Sequence, residues 1–290
     1  MAAQNLANTK QDLIAALVQK ELKESASLLS LVSDFSSLAI KGAKSISIPK
    51  LSSFTVQSRA FGAAATENTA LTDSVDEITL DKNKIVLFGY DAADEYQSTI
   101  DYKIMAINRA ASAHGRQINT DVITELETVA GLNLNAGVPA DITVDDILDM
   151  RKFLKQNFAD MNKVALLIAA DQEAVMLKLS EFSRYDYRGD GTAPVVNGMI
   201  GRVYGVPVIV HQQIKAQQAI MFEMSGIGFA FQKAPNVGEQ PDVAYGSMGQ
   251  KVAVDCLYGV GGLQLGVGLA IDNSTPLAGT VSGLVAKLAN

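Results

Sequence analysis

Between Asp91 and Gly131 the apolar positions return every third or fourth residue: Tyr96, Ile100, Ile104, Ile107, Ala111, His114, Ile118, Val122 and Val129. That spacing is the period of an amphipathic helix. Asp91 can cap its start, Asp94 and Glu95 suit the positive end of the dipole, and Gly131 stops it. Unbroken, it would run ~60 Å at 1.5 Å per residue. The mean globular helix has only ~11–12 residues, so such a rod is unusual. Gly115 is the place where it could kink.

The segment before the rod is extended. Residues 44–57 alternate as a strand, through Ile46, Ile48, Phe54 and Val56, with Pro49 marking an edge or a bend. Residues 75–89 form a second extended run, with Val75, Ile78 and Leu80, then Ile85 to Phe88. Between them, Arg59 to Leu71 is small, polar and nearly featureless, and far longer than the ~2–5 residues of a hairpin turn. Two readings stand: a plain surface loop, or a long two-stranded arm. An isolated arm is marginal in water, so it would need another surface to lie on. Residues 9–35 read as an amphipathic helix, with Thr9 and Asp12 spaced as a capping box and Leu13, Ile14, Leu17, Val18, Leu22, Leu29 and Val32 on one face. It either packs on its own domain or docks on a neighbour. Its mixed charges, Lys20, Glu21, Lys23 and Glu24, argue against a membrane-surface helix.

After the rod, helices and strands alternate. Thr143 caps a helix running to Phe158, Lys163–Ala170 is a buried strand, and Asp171 caps a short helix to Leu179. Ser180–Pro194 reads as a polar loop and Met199–Val210 as strand–turn–strand. Strands follow near Ala219–Met224 and Ile227–Gln232, then a loop over Pro235–Gly249 and a strand over Lys251–Tyr258. With 290 residues, 48% apolar and 19% charged, the chain can bury a core, as two domains or as one with large excursions. Twenty-three glycines, 6% aromatics and no Trp favour β-structure with many turns.

Charge and chemistry exclude more than they suggest. The net charge is -7 and the Lys and Arg residues are scattered, so nucleic acid would be contained or ignored, not gripped. A single cysteine, Cys256, excludes an intrachain disulfide framework and fits a reducing compartment. Met1–Lys10 does not read as a signal peptide, and no apolar run reaches the ~18–20 residues of a membrane span. Val252–Ile271 comes closest, interrupted by Asp255 and Gln264. His114 falls on the rod's apolar face and reads as packed. His211 has no metal-ligand spacing around it. Cys256 lies in an alternating strand as a small buried hydrophobe. Gly259 to Gly266 lacks both the dinucleotide and the phosphate-loop patterns and reads as a strand with close backbone approach. Asp145, Asp146 and Asp149 sit at a helix start, where the dipole accounts for them. Arg188-Gly189-Asp190 in a polar loop is close to a chance match. The expectation is no catalytic residue, no metal ligand and no cofactor.

The order of parts carries more than any motif. An arm, a long loop with a soft tip, a very long helix, an α/β unit and a late returning strand together resemble the major capsid proteins of tailed bacteriophages, a fold shared with encapsulins and the herpesvirus capsid floor. Val75–Asp91 resembles the return strand of that fold's extended loop, Thr143–Phe158 and Val164–Leu179 its axial helix–strand–helix, and Gly198–Val210 its strand–turn–strand. The resemblance spans roughly residues 30–272. It implies an α+β fold with an N-terminal arm (1–43), an extended loop (44–90), a peripheral domain with the spine helix (91–140), an axial domain (141–234), peripheral return strands (235–260) and an axial C-terminal part with a tail (261–290). It also implies assembly as hexamers and pentamers into an icosahedral shell enclosing double-stranded DNA, in a virion assembled in the host cytoplasm. An encapsulin-type compartment is the alternative, and an α/β enzyme a distant third. The partners implied are copies of itself, a separate scaffolding protein, portal and decoration proteins, and no membrane. About 40 residues precede the loop, too few for a fused scaffolding segment. The loop tip has no Lys, so no crosslinking residues carry over. The expected assembly contacts are Phe54, Phe61, Leu71, Leu17 and Leu22.

Overall fold

The computed structural model describes residues 27–51, 58–62, 73–91, 102–130, 132–134, 141–157, 159–179, 201–245, 249–263 and 285–288. In chain order its elements are β1 (Ser33–Asp34), β2 (Ser45–Leu51), β3 (Asp73–Thr79), β4 (Lys82–Tyr90), α1 (Tyr102–Thr128), β5 (Leu132–Leu134), α2 (Val144–Gln156) and β6 (Val164–Ile168). They continue with α3 (Ala170–Lys178), β7 (Arg202–Val203), β8 (Val206–Val210), β9 (Ala219–Glu223), β10 (Ile227–Pro241), β11 (Gln250–Gly262) and β12 (Val285–Leu288). The fold is mixed α and β, and it divides into two compact units. One comprises Met1–Ile46, Ile78–Glu125 and Gly228–Gly261; the other comprises Ser47–Glu77, Leu126–Ile227 and Gly262–Asn290.

The first unit is a helix laid on a sheet. Its four strands run in the order β1-β10-β11-β4, with β4 and β11 antiparallel from Lys82↔Tyr258 to Tyr90↔Gln250. Alternation sorts the β11 side chains: Val252, Val254, Cys256 and Tyr258 are fully buried, and the residues between them are half-exposed. α1 covers that buried face, placing Ile107, Ala110 and Ala111 against Val252, Val254, Val86 and Phe88. Its buried positions keep the helical period through Ile118, Val122 and Ile123, and it continues unbroken through Gly115. The described helix has 27 residues, ~40 Å; residues 92–101 of the expected rod lie outside the described residues.

The second unit centres on β6, all five of whose residues are buried. It pairs in parallel with β8 and antiparallel with β9, inside a six-stranded sheet of order β5-β12-β9-β6-β8-β7. Ile147, Met150, Phe153 and Leu154 of α2 and Met176 of α3 complete the core around Val164, Leu166 and Ile168. Thr143 caps α2 in a full capping box: its hydroxyl accepts from the Asp146 N–H, and the Asp146 carboxylate accepts from the Thr143 N–H at 2.9 Å. Among the described residues β2 and β3 pair with each other alone, as a separate two-stranded ribbon.

Four local expectations change. The N-terminal helix does not reach residue 35. Ser27–Leu31 is a 3-10 turn, and Ser33–Asp34 pairs in parallel with Gly228–Phe229 as β1. Sheet pairing overrides the apolar spacing there, and the Asp34 carboxylate turns the chain by accepting from the Ser36 N–H at 2.8 Å. The extended run 75–89 is two strands broken at Leu80 and Asp81, with β3 paired to β2 and β4 to β11. Asp171 is not the cap of α3. The cap position is Ala169, and Asp171 Oδ2 instead accepts from the Gln217 N–H at 2.8 Å. Residues 235–241 are strand, not loop, because β10 runs on for 15 residues despite Pro235 and Gly238.

Candidate functional site

The groups able to carry chemistry meet in the first unit, at the seam between α1 and β11. His114 lies 3.0 Å from the Val254 carbonyl oxygen through Nε2, and 3.4 Å from Cys256 Sγ through Nδ1. One proton arrangement satisfies both contacts: Nε2–H donates to the carbonyl, and the thiol S–H donates to Nδ1. The structure thus brings together the Cys–His pair that a nucleophile would need. However, both side chains are buried, and burial, helped by the nearby Asp255 charge, pushes the thiol up to about 11. A nucleophilic cysteine needs a depressed pKa and access, so the pair is a packing contact. Two helical turns on, the Tyr258 hydroxyl donates to Asp121 Oδ2 at 2.6 Å, and burial followed by that bond raises the phenol's pKa. Phe229 and Phe231 stack about the Tyr258 ring, with centroids 5.7 and 6.2 Å away. His211 is buried in the second unit and accepts at Nδ1 from the Gln213 N–H at 3.2 Å; desolvation lowers its pKa. Among the described residues no group of His, Cys, Asp and Glu could hold a metal, and no helix is long and apolar enough to cross a membrane.

The Gly-rich run of β11 is strand to Gly262, as expected. A Cβ on Gly259 would stand 2.2 Å from the Thr79 carbonyl oxygen, which is the close backbone approach that only glycine permits.

What the described surface offers instead is apolar area. Of the expected contact residues, Phe61 is fully exposed, beside Gly62 at φ +82°, where no neighbour lies within 4 Å of a Cβ. Phe54, Leu71, Leu17 and Leu22 lie outside the described residues. The ribbon is anchored at its base: Ile46, Ile78 and Leu80 are buried, and the Leu80 N–H donates to the Lys44 carbonyl at 2.8 Å. Sequence reasoning missed three further apolar positions. Ile85 and Leu87 of β4 are 62% and 54% exposed, on the sheet face opposite α1. Val243, in the turn after β10, is 87% exposed. The signal for β4 was present: Ile85 to Phe88 are apolar on both faces, yet β4 is the last strand of its sheet.

Exposed apolar side chains of this kind suit a subunit that packs against others, and comparison supplies the family. Residues 18–245, more than three quarters of the chain, match the family model described as phage capsid protein. The chain belongs to that family. It is a structural capsid protein of a virion, and the family match supports association with copies of itself. The whole fold agrees. A chain from Mycobacterium phage Che8 superposes with a TM-score of 0.70 at 19% identity, over 90% of each chain. The mature capsid of bacteriophage PhiM1 gives 0.65 at 13% identity, over 89% of this chain and 85% of that one. A virus-like particle from Pyrococcus furiosus gives 0.58 at 12% identity, over 96% and 99%. At such identities these likenesses speak for the fold alone. Comparison with curated proteins gives no match.

Proposed function

We propose that this capsid protein assembles as hexamers and pentamers into an icosahedral shell around double-stranded phage DNA, in the host cytoplasm, with no enzymatic step of its own. The observation that carries the proposal is the family match over residues 18–245. In this reading the unit built on α1 is the peripheral domain, with the return strands of residues 235–260, and the unit built on β6 is the axial domain. The β2–β3 ribbon is the extended loop, and Phe61 at its turn is an anchor on a neighbouring subunit. Phe54 and Leu71 would flank that anchor, and Leu17 and Leu22 would belong to an N-terminal arm. The net charge of -7 suits a shell that encloses DNA without gripping its phosphates. A scaffolding protein, a portal and decoration proteins would complete the particle.

Electron microscopy of the purified chain, alone and with a crowding agent, tests the shell. Closed particles with five- and six-fold units support it. A compact monomer at every concentration refutes it. Particles recovered from infected cells with packaged DNA separate a phage capsid from an encapsulin-type compartment, whose shells would carry protein cargo.

A further inference from the structure

The second unit carries a surface feature that none of the expected assembly contacts includes. On α2, Leu148, Arg151, Lys152, Lys155 and Gln156 line an open depression of about 370 Å3. Their spacing of three, four, seven and eight residues makes one stripe along the outer face of the helix. Leu148 and Lys155 stand ~10 Å apart along the axis. The opposite stripe, Ile147, Met150, Phe153 and Leu154, fills the core. Leu148 is 40% exposed. Lys152 and Lys155 are exposed, and neither forms an ion pair with a described residue. Arg151 is different: its Nε is shut away from solvent and meets no acceptor among the described residues.

The helix dipole accounts for cations late in α2 and for Asp145, Asp146 and Asp149 early in it. It does not account for the exposed leucine, the depression or the unmatched Nε. A buried N–H without a partner is unfavourable, and a ligand carboxylate relieves it once the Arg151 side chain turns outward.

We propose that this stripe docks an acidic amphipathic segment of another protein, with an apolar side chain seated beside Leu148 and carboxylates on Arg151, Lys152 and Lys155. Charge complementarity selects the class. Three cations line the stripe on a chain whose net charge is -7, so attraction is local and suits a short acidic segment. Asp149, exposed one turn before Lys152, bounds the stripe and sets the register by repulsion. Duplex DNA fits less well, because its backbone would meet the cations but offers nothing apolar for the depression. The proposal is independent of shell formation.

The test is fluorescence anisotropy on the full chain with two probes. One is a labelled helical peptide of about 20 Glu and Leu residues, with Leu at every third and fourth position. The other is labelled duplex DNA of about 20 base pairs. The peptide should bind, and Lys152→Ala with Lys155→Ala should weaken it by about tenfold. Leu148→Gln should weaken it about fivefold, and replacing the peptide's leucines with alanine should do the same. The lysine pair is exposed, so its replacement should leave the melting temperature unchanged and decides the matter if Leu148→Gln does not fold. Three results overturn the proposal: no peptide binding, peptide binding indifferent to the lysine pair, or DNA binding as tight as the peptide's. Particle formation, scored separately by microscopy, keeps this outcome distinct from that of the shell reading.

Discussion

Gly259→Ala is the sharpest test of how the first unit is held together. In β11 a Cβ at this position would meet the Thr79 carbonyl oxygen at 2.2 Å, its carbon at 2.9 Å and Leu80 Cδ2 at 3.0 Å. Leu80 could rotate, but a carbonyl cannot. Thr79 ends β3, and the next N–H, that of Leu80, is tied to the Lys44 carbonyl. Making room for a methyl therefore moves the base of the ribbon. Overpacking of this kind costs about 1–3 kcal/mol. Alanine's smaller unfolded-state entropy returns only about 0.4–1 kcal/mol, so the variant should lose about 1–2 kcal/mol net. Gly238→Ala is the matched control: it also lies in a strand, no φ strain applies, and nothing stands within 4 Å of its Cβ. It should be neutral or slightly stabilising. Urea unfolding of the unassembled chain, both variants beside wild type, reads the difference as a shift in midpoint at constant slope. A Gly259→Ala midpoint equal to or above wild type would refute the close approach, and with it the reading of this Gly-rich run as packed strand.

Phe61→Ala should leave the melting temperature of the subunit unchanged, because Phe61 is fully exposed, yet yield few or fragile closed particles by microscopy; normal particles would remove Phe61 as an anchor. Cys256→Ser should cost about 1 kcal/mol, since a shorter C–O bond leaves a buried hydroxyl poorly matched to His114, and native Cys256 should resist thiol reagents. The Cys256 thiol is held protonated in the fold, with its pKa raised from 9.0 to about 11, so its share of stability is complete below pH 9 and is lost as pH rises through 11. Unfolding midpoints of wild type and Cys256→Ser should converge there. His211 is buried neutral with a lowered pKa, so the unfolded chain binds the extra proton: stability should fall as pH drops below 6.5, and His211→Gln should flatten that slope. Tyr258→Phe should cost about 1–2 kcal/mol by stripping a bond from Asp121, partly spared because Gln117 Nε2 still donates to its other oxygen at 3.0 Å.

The rod, the capped α2, the buried β6 and the alternating β11 were legible because each buries a face whose period is written in its apolar residues. Expectations failed where a tertiary contact outbid a local signal. Leu28, Leu29 and Val32 continue a helical period, but Asn119 Oδ1 accepts from the Leu28 N–H at 3.3 Å, and the backbone after Leu31 pairs with β10. Asp171 has the chemistry of a cap, but Ala169 takes the cap position and the carboxylate serves Gln217. Pro235 and Gly238 are turn residues by composition, yet β10 carries both, Pro235 at a buried position and Gly238 at an exposed one.

The contact surface was less legible for a different reason. Burial patterns show which residues leave water in one chain, whereas an assembling subunit completes its burial only against another. Ile85-Val86-Leu87-Phe88 looks in sequence like a strand buried on both faces. In the folded subunit Val86 and Phe88 pack with α1 while Ile85 and Leu87 stay exposed, paired across the ladder with Asp255 and Ala253. Asp255 is itself tied to Lys233, so the surroundings of this face are polar and its two large apolar side chains stand apart. Covering what remains exposed would be worth about 1–2 kcal/mol each. That is too little to hold two subunits together against the cost of association, but in the proposed shell it would recur at every copy. Weak, repeated contacts of this kind leave no motif behind. They show only as apolar residues that the subunit's own fold fails to use.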